Sequence, residues 1–282
     1  MHLRRAGAGP WRGSGWLGPP IVDARPGRFT EATVTAVQDD AVVLITGAAR
    51  RVGARIAREL HAAGARIAVH CRQSMDEATA LCDALNAVRP DSAAPFRADL
   101  LHVDALPDMV ARCVDRFGRL DGLVNNASSF FATPVGAIDT AAWDDLIGSN
   151  VKAPLFLAQA AAPALADSRG AIVNIVDIHA ERPLRGYPVY SIAKAGLYGL
   201  TRSLAIELAP HIRVNGVSPG AIVWPEDGQF PPDERDRIVE HSLMKRIGSP
   251  EDIAGAVRFL LFDAPYVTGQ VLAVDGGRSV HL

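Results

Sequence analysis

Strand and helix signals alternate from residue 41 to the end of the chain, and this alternation limits the possible folds more than any other feature. Short apolar runs such as 41–46 and 171–176 are typical of buried parallel strands. Segments with helical spacing follow them, and the first of these, 52–63, ends at Gly64. Repeated strand–helix units require right-handed crossovers and a parallel sheet covered on both faces. We therefore predict an α/β fold with one doubly wound parallel sheet of about seven strands flanked by helices.

All of these elements fall within residues 41–282, which we predict to be one domain. The predicted strands are 41–46, 66–70, 93–98, 122–125, 171–176, 212–217 and 270–274. The predicted helices are 52–63, 75–88, 108–117, 141–166, 189–209 and 253–261. Pro154 and Pro163 are expected to bend the fourth helix. A segment rich in charge, proline and glycine, 225–250, precedes the last helix.

Residues 1–40 differ from the rest because they are rich in glycine, proline and arginine and show no hydrophobic periodicity. They lack the apolar core of a secretory signal. Arginines outnumber acids early in this stretch, which leaves a transit peptide open, although four prolines oppose an amphipathic helix. We expect a disordered extension, or residues translated from an upstream start codon.

The bulk composition excludes several classes of protein. The formal net charge is −2 over 282 residues, which indicates neither a nucleic-acid partner nor a membrane partner. Three cysteines, an odd and sparse set without a CxxC pair, argue against a disulfide framework and against a metal site. No apolar run approaches the roughly 20 residues of a membrane span. We therefore expect a cytoplasmic protein that binds no metal.

A glycine-rich turn, residues 46–53, connects the first predicted strand to the first predicted helix. Gly47 allows a tight bend, and Gly53 lets the helix begin close to the sheet. The N–H groups of the helix then face an anionic pyrophosphate. Two glycines alone are a weak signal, but their position after a strand and before a helix predicts a Rossmann-type dinucleotide site.

The end of the second strand indicates which nicotinamide cofactor binds. An acid there would accept hydrogen bonds from the ribose 2′-OH of NAD, but this chain has His70, Arg72 and Ser74 instead. Arg72 can pair with a 2′-phosphate, Ser74 can donate a hydrogen bond, and Arg51 adds positive charge nearby. We therefore predict NADPH, the alternative being that Arg72 is a solvated surface residue.

Residues with polar or turn-forming side chains follow several other strands. Asp99 and Leu100 come after the third strand. We expect them to meet the adenine ring, and the equal alternative is that Asp99 caps the following turn. Asn125, Asp177 and Pro219 follow later strands. Because ligands of parallel sheets bind beyond the carboxyl ends of the strands, we expect all these positions to converge on one cleft.

Tyr190 and Lys194 are four residues apart on a predicted helix, so they share one face a single turn from each other. An ammonium group near a phenol favours the phenolate form. We therefore expect Lys194 to lower the pKa of Tyr190, so that the phenol gives up a proton near neutral pH. Together with the dinucleotide turn, this pair predicts a nicotinamide-dependent reductase.

The ordered set of motifs resembles the short-chain dehydrogenase/reductase family over residues 41–282. The resemblance rests on the glycine turn, 125–127, Asn150, the pair Tyr190 and Lys194, Pro219-Gly220 and 274–277. It implies a homotetramer in which the helices before and after the fifth strand pack between subunits. It implies that Asn150 supports Lys194 through water and that Lys194 contacts ribose hydroxyls. The remaining cofactor contacts that it implies are Val52, Asn126, Ala127, Tyr190, Pro219 and Gly220.

Three departures from the usual family pattern narrow the resemblance. Arg51 stands where the middle glycine of the turn is usual. The usual Asn-Asn-Ala-Gly is changed here, because Ser128 replaces its glycine and is followed by Ser129 and Phe130. Asp177 occupies the usual position of the catalytic serine, thirteen residues before Tyr190. With all three departures, the chain resembles the pteridine reductases, including the bacterial dihydromonapterin/dihydrofolate reductase-like branch. In that subfamily, the residues at these positions imply substrate contacts.

A pterin is a flat polar heterocycle, and the implied contacts suit it. Phe130 offers a ring face that would sandwich the pterin against nicotinamide. Ser128 would hydrogen-bond the amino-pyrimidine edge, and Arg51 would bridge pyrophosphate and pterin. Asp177 would hold Tyr190 and help to pass a proton to a ring nitrogen while the adjacent carbon receives hydride.

The leading hypothesis is an NADPH-dependent pteridine reductase that reduces a ring C=N bond of dihydromonapterin, dihydrobiopterin or dihydrofolate. Its catalytic residues would be Asp177, Tyr190, Lys194 and Asn150, and its substrate contacts would be Arg51, Ser128, Phe130, Asp177 and Tyr190. The first alternative is a carbonyl reductase of the same family, acting on a 3-oxoacyl or similar ketone. The second is a non-catalytic NADP-binding sensor.

Overall fold

The computed structural model describes residues 40–224 and 230–280, and the predicted extension lies, but for its last residue, outside them. The described residues form one seven-stranded parallel sheet, which confirms the predicted fold class. Its strands are rich in Val, Ile and Leu and nearly all buried at the centre of the sheet, as strands covered on both faces must be. They are β1 Val42–Ile45, β2 Arg66–Cys71, β3 Ala93–Arg97, β4 Gly122–Asn125, β5 Ala171–Ile175, β6 Arg213–Pro219 and β7 Val271–Val274.

The strand order is β3-β2-β1-β4-β5-β6-β7, with every neighbouring pair parallel. The chain therefore leaves β1 toward one edge of the sheet and returns at β4 to build the other half. The crevice between β1 and β4 is the point where the strand order reverses, and such crevices bind ligands at the carboxyl ends of the strands. Val43 pairs with Gly122 and Ile45 with Val124 across this point.

Helices cover both faces of the sheet, so the core has two layers. One layer packs around α1, α2 and α8, and the other around α3, α5 and α6. The helices are α1 Arg51–Ala62, α2 Met75–Val88, α3 Leu106–Phe117, α4 Thr140–Ile147, α5 Ala153–Ser168, α6 Pro188–Leu208, α7 Pro232–Glu240 and α8 Pro250–Arg258. Short 3₁₀ turns lie at Val103–Ala105 and Ile178–Ala180, and π-helical turns lie at Gly148–Lys152 and Phe259–Asp263.

The structure corrects the prediction of one continuous helix over 141–166. The segment is α4 and α5 joined by the π-helical turn Gly148–Lys152, in which the N–H of Ala153 donates to the carbonyl of Gly148. Pro154 lies in the first turn of α5 and has no N–H to give to the preceding turn. The wider turn avoids the clash that a proline ring makes with the carbonyl four residues earlier. Pro163, the other expected bend, is tolerated inside α5.

The structure also adds a helix that the sequence analysis did not predict. α7, Pro232–Glu240, lies in the segment described above only as rich in charge, proline and glycine. Residues 225–229 of that segment lie outside the described part of the chain. Among the described helices, none combines the length and apolarity that crossing a membrane requires. Within residues 40–224 and 230–280, no cluster of His, Cys, Asp or Glu is placed to hold a metal ion.

Candidate active site

A cleft of about 770 Å³ opens at the carboxyl ends of the strands. Nearly all the predicted site residues line it, although they are spread over more than 170 positions of the sequence. They are Gly47, Arg51, Val52, Gly53, His70, Arg72, Ser74, Asp99, Leu100, Asn126, Ala127, Ser128, Phe130, Asp177, Tyr190, Lys194, Pro219 and Gly220. Asn150 is the exception, because it is buried behind the wall of the cleft.

The turn after β1 is held by a buried histidine. Gly47 has φ +61°, the left-handed region that glycine enters freely. Its N–H donates to Nδ1 of His70 at 3.1 Å, and Nε2 of His70 lies 3.1 Å from the carbonyl of Ala98. An imidazole whose Nδ1 accepts carries its proton on Nε2, so His70 bridges β1, β2 and the end of β3.

This arrangement requires a neutral imidazole. Burial lowers the pKa of His70 to about 4, although the hydrogen bond to Ala98 and the charge of Asp99 act in the opposite direction. Both ring nitrogens are engaged by the protein backbone. His70 therefore positions the glycine turn, and because it also lines the cleft, the cofactor contact that we predict for His70 stays a prediction.

A second clamp joins the glycine turn to the end of β4. Nδ2 of Asn126 donates to the carbonyls of Thr46 at 2.9 Å and Gly47 at 3.1 Å. The hydroxyl oxygen of Thr46 accepts from the N–H groups of Asn126 at 2.9 Å and Ala127 at 3.0 Å. A Cβ on Gly53 would lie 2.2 Å from the carbonyl oxygen of Gly47, so only glycine lets α1 begin this close to the turn.

Helix α1 begins at the cleft without a side-chain cap on its first turn. Uncapped N–H groups together with the helix dipole favour an anion at this point. Arg51, the first residue of α1, has φ +52°, so it takes the conformation expected of the glycine it replaces. Its guanidinium donates to the carbonyls of Val223 and Trp224, each at 3.2 Å. Arg51 thus connects the glycine turn to the segment that follows β6.

Arg72 and Ser74 lie at the end of β2, and both line the cleft. Arg72 is exposed, which leaves its guanidinium accessible to a phosphate. Oδ1 of Asp99 accepts from the N–H of Leu101 at 3.0 Å. The cap that we considered for Asp99 therefore exists, and its neighbour Leu100 is a buried part of the cleft wall.

Asp177 and Tyr190 form a hydrogen-bonded pair at the centre of the cleft. The hydroxyl of Tyr190 donates to Oδ2 of Asp177 at 2.7 Å. Oδ1 of Asp177 accepts from the N–H of His179 at 2.8 Å, which fixes the carboxylate at the end of β5. The tyrosine side chain is 5% exposed, so the pair lies in a poorly solvated environment.

The prediction that Lys194 lowers the pKa of Tyr190 far enough for the phenol to give up its proton near neutral pH is wrong for this structure. Burial raises the pKa of the Tyr190 phenol well above its usual value, and the charge and hydrogen bond of Asp177 raise it further. A negative charge in direct contact and loss of solvent both disfavour a phenolate. Tyr190 is therefore protonated throughout the neutral range.

Lys194 is buried beside this pair, and it is anchored to the sheet. Nζ donates to the carbonyl of Ile175 at 2.9 Å and lies 5.6 Å from the centre of the Tyr190 ring. Burial lowers the pKa of Lys194 to about 8, while Asp177 acts to raise it. Lys194 thus carries a positive charge in most molecules at pH 7 and has lost about half of that charge at pH 8.

Asn150 lies in the π-helical turn between α4 and α5. Its Nδ2 donates to the carbonyl of Leu146 at 2.9 Å and to the carbonyl of Ser129 at 3.1 Å. Its Oδ1 is buried and accepts no hydrogen bond from the described residues. A buried amide oxygen of this kind favours a bound water molecule, as the predicted link to Lys194 requires.

Phe130 belongs to an aromatic group at the mouth of the cleft. Its ring stacks on Tyr187, with centres 4.8 Å apart and an interplanar angle of 8°. It meets Tyr190 edge-on at 4.7 Å. The nearly parallel ring of Phe230 lies 6.3 Å away. One stacking partner of Phe130 is therefore supplied by the protein itself.

Comparison with known proteins identifies the family. A family model described as enoyl-(acyl carrier protein) reductase matches residues 47–279. The chain is 41% identical to pteridine reductase 1 of Leishmania tarentolae, over 85% of this chain and 96% of that protein. It is 36% identical to a 3-oxoacyl-(acyl-carrier-protein) reductase of Staphylococcus epidermidis, over 83% of this chain and 97% of that protein. The chain belongs to the short-chain dehydrogenase/reductase family.

Membership of the short-chain dehydrogenase/reductase family makes this chain an enzyme, an oxidoreductase that depends on a nicotinamide dinucleotide. The resemblance stated from its motifs is thereby confirmed. The cleft fits such a cofactor, since an uncapped helix N-terminus and two arginines, Arg51 and Arg72, lie where phosphates would bind.

Two residues of the cleft escaped the sequence analysis of this short-chain reductase. Phe230 extends the aromatic group, and Arg278 adds a positive charge to the wall. Thr46, the first residue of the predicted glycine turn, is buried and organises that turn through its hydroxyl. Phe230 and Arg278 carry no local signal, because only the tertiary fold brings them to the cleft.

Proposed function

We propose that this short-chain reductase is an NADPH-dependent pteridine reductase that reduces a ring C=N bond of a dihydropterin. The candidate substrates are dihydromonapterin, dihydrobiopterin and dihydrofolate. The observation that carries the proposal is the 2.7 Å hydrogen bond from the hydroxyl of Tyr190 to Asp177. The 41% identity to a protein named pteridine reductase 1 supports the same substrate class.

A carboxylate beside the tyrosine favours a nitrogen target over a ketone. Reduction of a ketone develops negative charge on an oxygen that needs hydrogen-bond donors, and a carboxylate offers only acceptors. A pterin ring instead presents N–H groups, from which a carboxylate accepts hydrogen bonds. Asp177 is thus better suited to a reducible C=N bond, whose nitrogen ends as an N–H, than to an oxyanion.

The residues that would hold NADPH are those of the dinucleotide end of the cleft. The first turn of α1 would face the pyrophosphate, and Arg72 and Ser74 would bind the 2′-phosphate. Lys194 would contact the ribose hydroxyls, and Asp99 and Leu100 would meet the adenine. When bound, NADPH supplies the hydride for the carbon of the C=N bond.

Tyr190 supplies the proton. Its raised pKa makes the phenol a weak acid, but a ring nitrogen left with negative charge beside a newly reduced carbon is a stronger base still. The buried ammonium of Lys194 compensates the tyrosinate that forms. Asn150, through its open Oδ1, would orient a water that returns a proton to the pair.

The pterin ring would lie against Phe130. That ring is fixed by Tyr187, so it offers an ordered surface and loses little freedom when the substrate stacks on it. Ser128 is an exposed residue on the same loop and lines the same cleft, so its hydroxyl would bind the amino-pyrimidine edge. Arg51, which contacts Val223 and Trp224 here, would bridge the pyrophosphate and the pterin.

The test is oxidation of NADPH by the purified protein in the presence of a panel of dihydropterins and ketones. The reaction is monitored by the near-ultraviolet absorbance of NADPH. We expect turnover of at least one dihydropterin and weak or no turnover of 3-oxoacyl substrates. Brisk ketone reduction with no pterin turnover would contradict the proposal. Parallel measurements with NADH test the cofactor assignment, which would be reversed by a lower KM for NADH.

The second candidate is reduction of a 3-oxoacyl or similar ketone, which the relationship to the Staphylococcus epidermidis enzyme favours. The substitution Asp177→Ser separates the two functions. A serine can donate a hydrogen bond to a carbonyl oxygen and cannot act as a carboxylate. Under our proposal, the variant loses pterin turnover and gains ketone turnover, whereas loss of ketone activity would support the second candidate.

We also propose that the enzyme is a cytoplasmic homotetramer. Apolar side chains are exposed on both helices expected to pack between subunits: Leu155 on α5 is 39% exposed, and Ile192 and Ile206 on α6 are 51% and 78% exposed. The three cysteines are free and buried, as expected in a reducing compartment. A monomeric mass in solution would contradict the tetramer.

A further inference from the structure

Arg278 is a charged residue of the cleft that the proposed reaction does not use. It follows β7 near the end of the described chain and lines the same cleft as Asp177 and Tyr190. It is half-buried, so its guanidinium has lost part of its hydration. A partly desolvated cation in a substrate cleft indicates a ligand group of opposite charge.

The backbone around Arg278 is rigid. The carboxylate of Asp275 accepts from the N–H groups of Gly277 at 2.9 Å and Ser279 at 2.7 Å. Gly276 and Gly277 have φ of +62° and +79°. A Cβ on Gly277 would lie 2.7 Å from Cδ1 of Leu243, so this turn is packed closely under the segment that follows α7. The turn therefore holds Arg278 at a defined position.

The guanidinium has acidic neighbours but no direct partner. Burial lowers the pKa of Arg278, and the charges of Asp177, Asp275 and Glu234 act to raise it, Asp177 most strongly. None of these carboxylates forms an ion pair or hydrogen bond with it within the described residues. Asp177 is already engaged by Tyr190 and His179. The donors of Arg278 are thus available to a ligand.

We propose that Arg278 binds an anionic group of the substrate, a carboxylate carried outside the reducible ring. A guanidinium presents a planar fork of N–H donors that matches a carboxylate in a bidentate pair. Because Arg278 is half-buried, this pair contributes more than it would on an open surface. The inference rests on the proposed pterin reduction and deepens it.

This recognition distinguishes the three candidate substrates. Dihydrofolate carries carboxylates on its glutamate tail, whereas dihydromonapterin and dihydrobiopterin have uncharged hydroxylated side chains. Arg278 therefore favours dihydrofolate, or another dihydropterin with an acidic tail. The ring-binding residues Phe130 and Asp177 serve all three substrates alike, so Arg278 is the residue that separates them.

The experiment compares kcat/KM for dihydrofolate and for dihydrobiopterin in the wild type, Arg278→Gln, Arg278→Lys and the control Arg112→Gln. Arg112 is an exposed residue of α3 paired with Asp108, away from the cleft. We expect Arg278→Gln to lower the ratio of the dihydrofolate value to the dihydrobiopterin value by about 10-fold to 100-fold, the size of a lost charge-assisted pair. Arg278→Lys should restore part of the ratio, and Arg112→Gln should not change it.

Three results would overturn the proposal: an unchanged ratio in Arg278→Gln, an equal loss with both substrates, or a wild type that reduces only uncharged pterins. An equal loss would mean that Arg278 acts on the charge of Asp177. A wild type that reduces no pterin at all would instead contradict the proposed function. Circular dichroism of each variant ensures that an unfolded protein is not mistaken for lost recognition.

Discussion

The two walls of the cleft are stabilised by different kinds of contact. The nucleotide wall, residues 46–53, 70–74 and 126–127, is held by hydrogen bonds to the backbone, such as those from Asn126 to Thr46 and Gly47. The substrate wall, residues 128–130, 177–190 and Phe230, is held by ring contacts and by the hydrogen bond from the Tyr190 hydroxyl to Asp177.

The two walls therefore serve different purposes: the nucleotide wall provides a fixed shape, and the substrate wall provides the groups that take part in the chemistry. The backbone bonds of the nucleotide wall use up the polar atoms that form them, so this wall offers a preformed surface to the cofactor. The substrate wall keeps polar and aromatic groups facing the cleft, including Asp177 and Phe130. Substitutions in the nucleotide wall should therefore change affinity and stability, while those in the substrate wall should change turnover and selectivity.

Removal of the Tyr190 hydroxyl should have the largest effect. In Tyr190→Phe, the proton donor is lost while the ring still packs against Phe130. We expect kcat for a dihydropterin to fall by about 10²-fold to 10⁴-fold, the usual contribution of a positioned acid. The Kd for NADPH, measured by fluorescence titration, should change little. A variant with near wild-type kcat would remove Tyr190 from the chemistry.

Replacement of His70 tests the nucleotide wall. In His70→Phe, the N–H of Gly47 and the carbonyl of Ala98 lose their partners. We expect the free energy of unfolding at pH 7 to fall by about 1–3 kcal/mol and the Kd for NADPH to rise roughly 10-fold, because the turn is no longer held. Asn86→Ala is a matched control, since it removes hydrogen bonds to Ser92 and Ala93 far from the cleft and should leave the Kd unchanged.

The same histidine gives a pH dependence of known sign. The folded protein holds the pKa of His70 at about 4, below the usual 6.5, so the unfolded chain binds a proton that the folded chain does not. Stability from this residue is therefore complete above pH 6.5 and is lost as the pH falls toward 4, by about 3 kcal/mol. The free energy of unfolding, measured with urea across this pH range, should change less steeply with pH in His70→Phe than in the wild type. An identical dependence on pH would contradict a neutral His70 in the folded protein.

Truncation of Phe230 should have the smallest effect. In Phe230→Ala, the ring that faces Phe130 and contacts Trp224 is lost. An aromatic pair of this kind contributes about 0.5–1.5 kcal/mol, so KM for a dihydropterin should rise roughly 2-fold to 10-fold with little change in kcat. Tyr266→Ala, which removes a fully exposed ring, is the control. A KM for NADPH that rises instead would place Phe230 on the nucleotide wall.

The glycines of the nucleotide wall could be predicted from sequence because the local backbone geometry requires them. Gly47 and Gly53 are needed where the chain bends and where the helix meets the turn, and the alternation of strand and helix places them at one edge of the sheet. The parallel sheet covered on both faces follows from the same alternation, but the order of its strands was not predicted. The π-helical turn at 148–152 was not predicted either, because its cause is a proline within a segment that otherwise has helical spacing.

The substrate wall could be predicted only in part. Tyr190 was identified by its spacing from Lys194, and Asp177 by the resemblance to the family, but Phe230 and Arg278 reach the cleft through contacts between distant segments. The direction of the Tyr190 pKa could not be predicted either. It depends on burial and on the contact with Asp177, which together outweigh the nearby lysine, and sequence spacing measures neither.

The tightly held proton of Tyr190 gives the site a preferred direction. Oxidation of a tetrahydropterin would have to begin from a tyrosinate, a form that is scarce in this environment. Reduction begins from the neutral phenol, which is the abundant form. Burial of the phenol, reinforced by the carboxylate of Asp177, thus determines which reaction the resting enzyme is ready to start, whatever the balance of oxidised and reduced nucleotide around it.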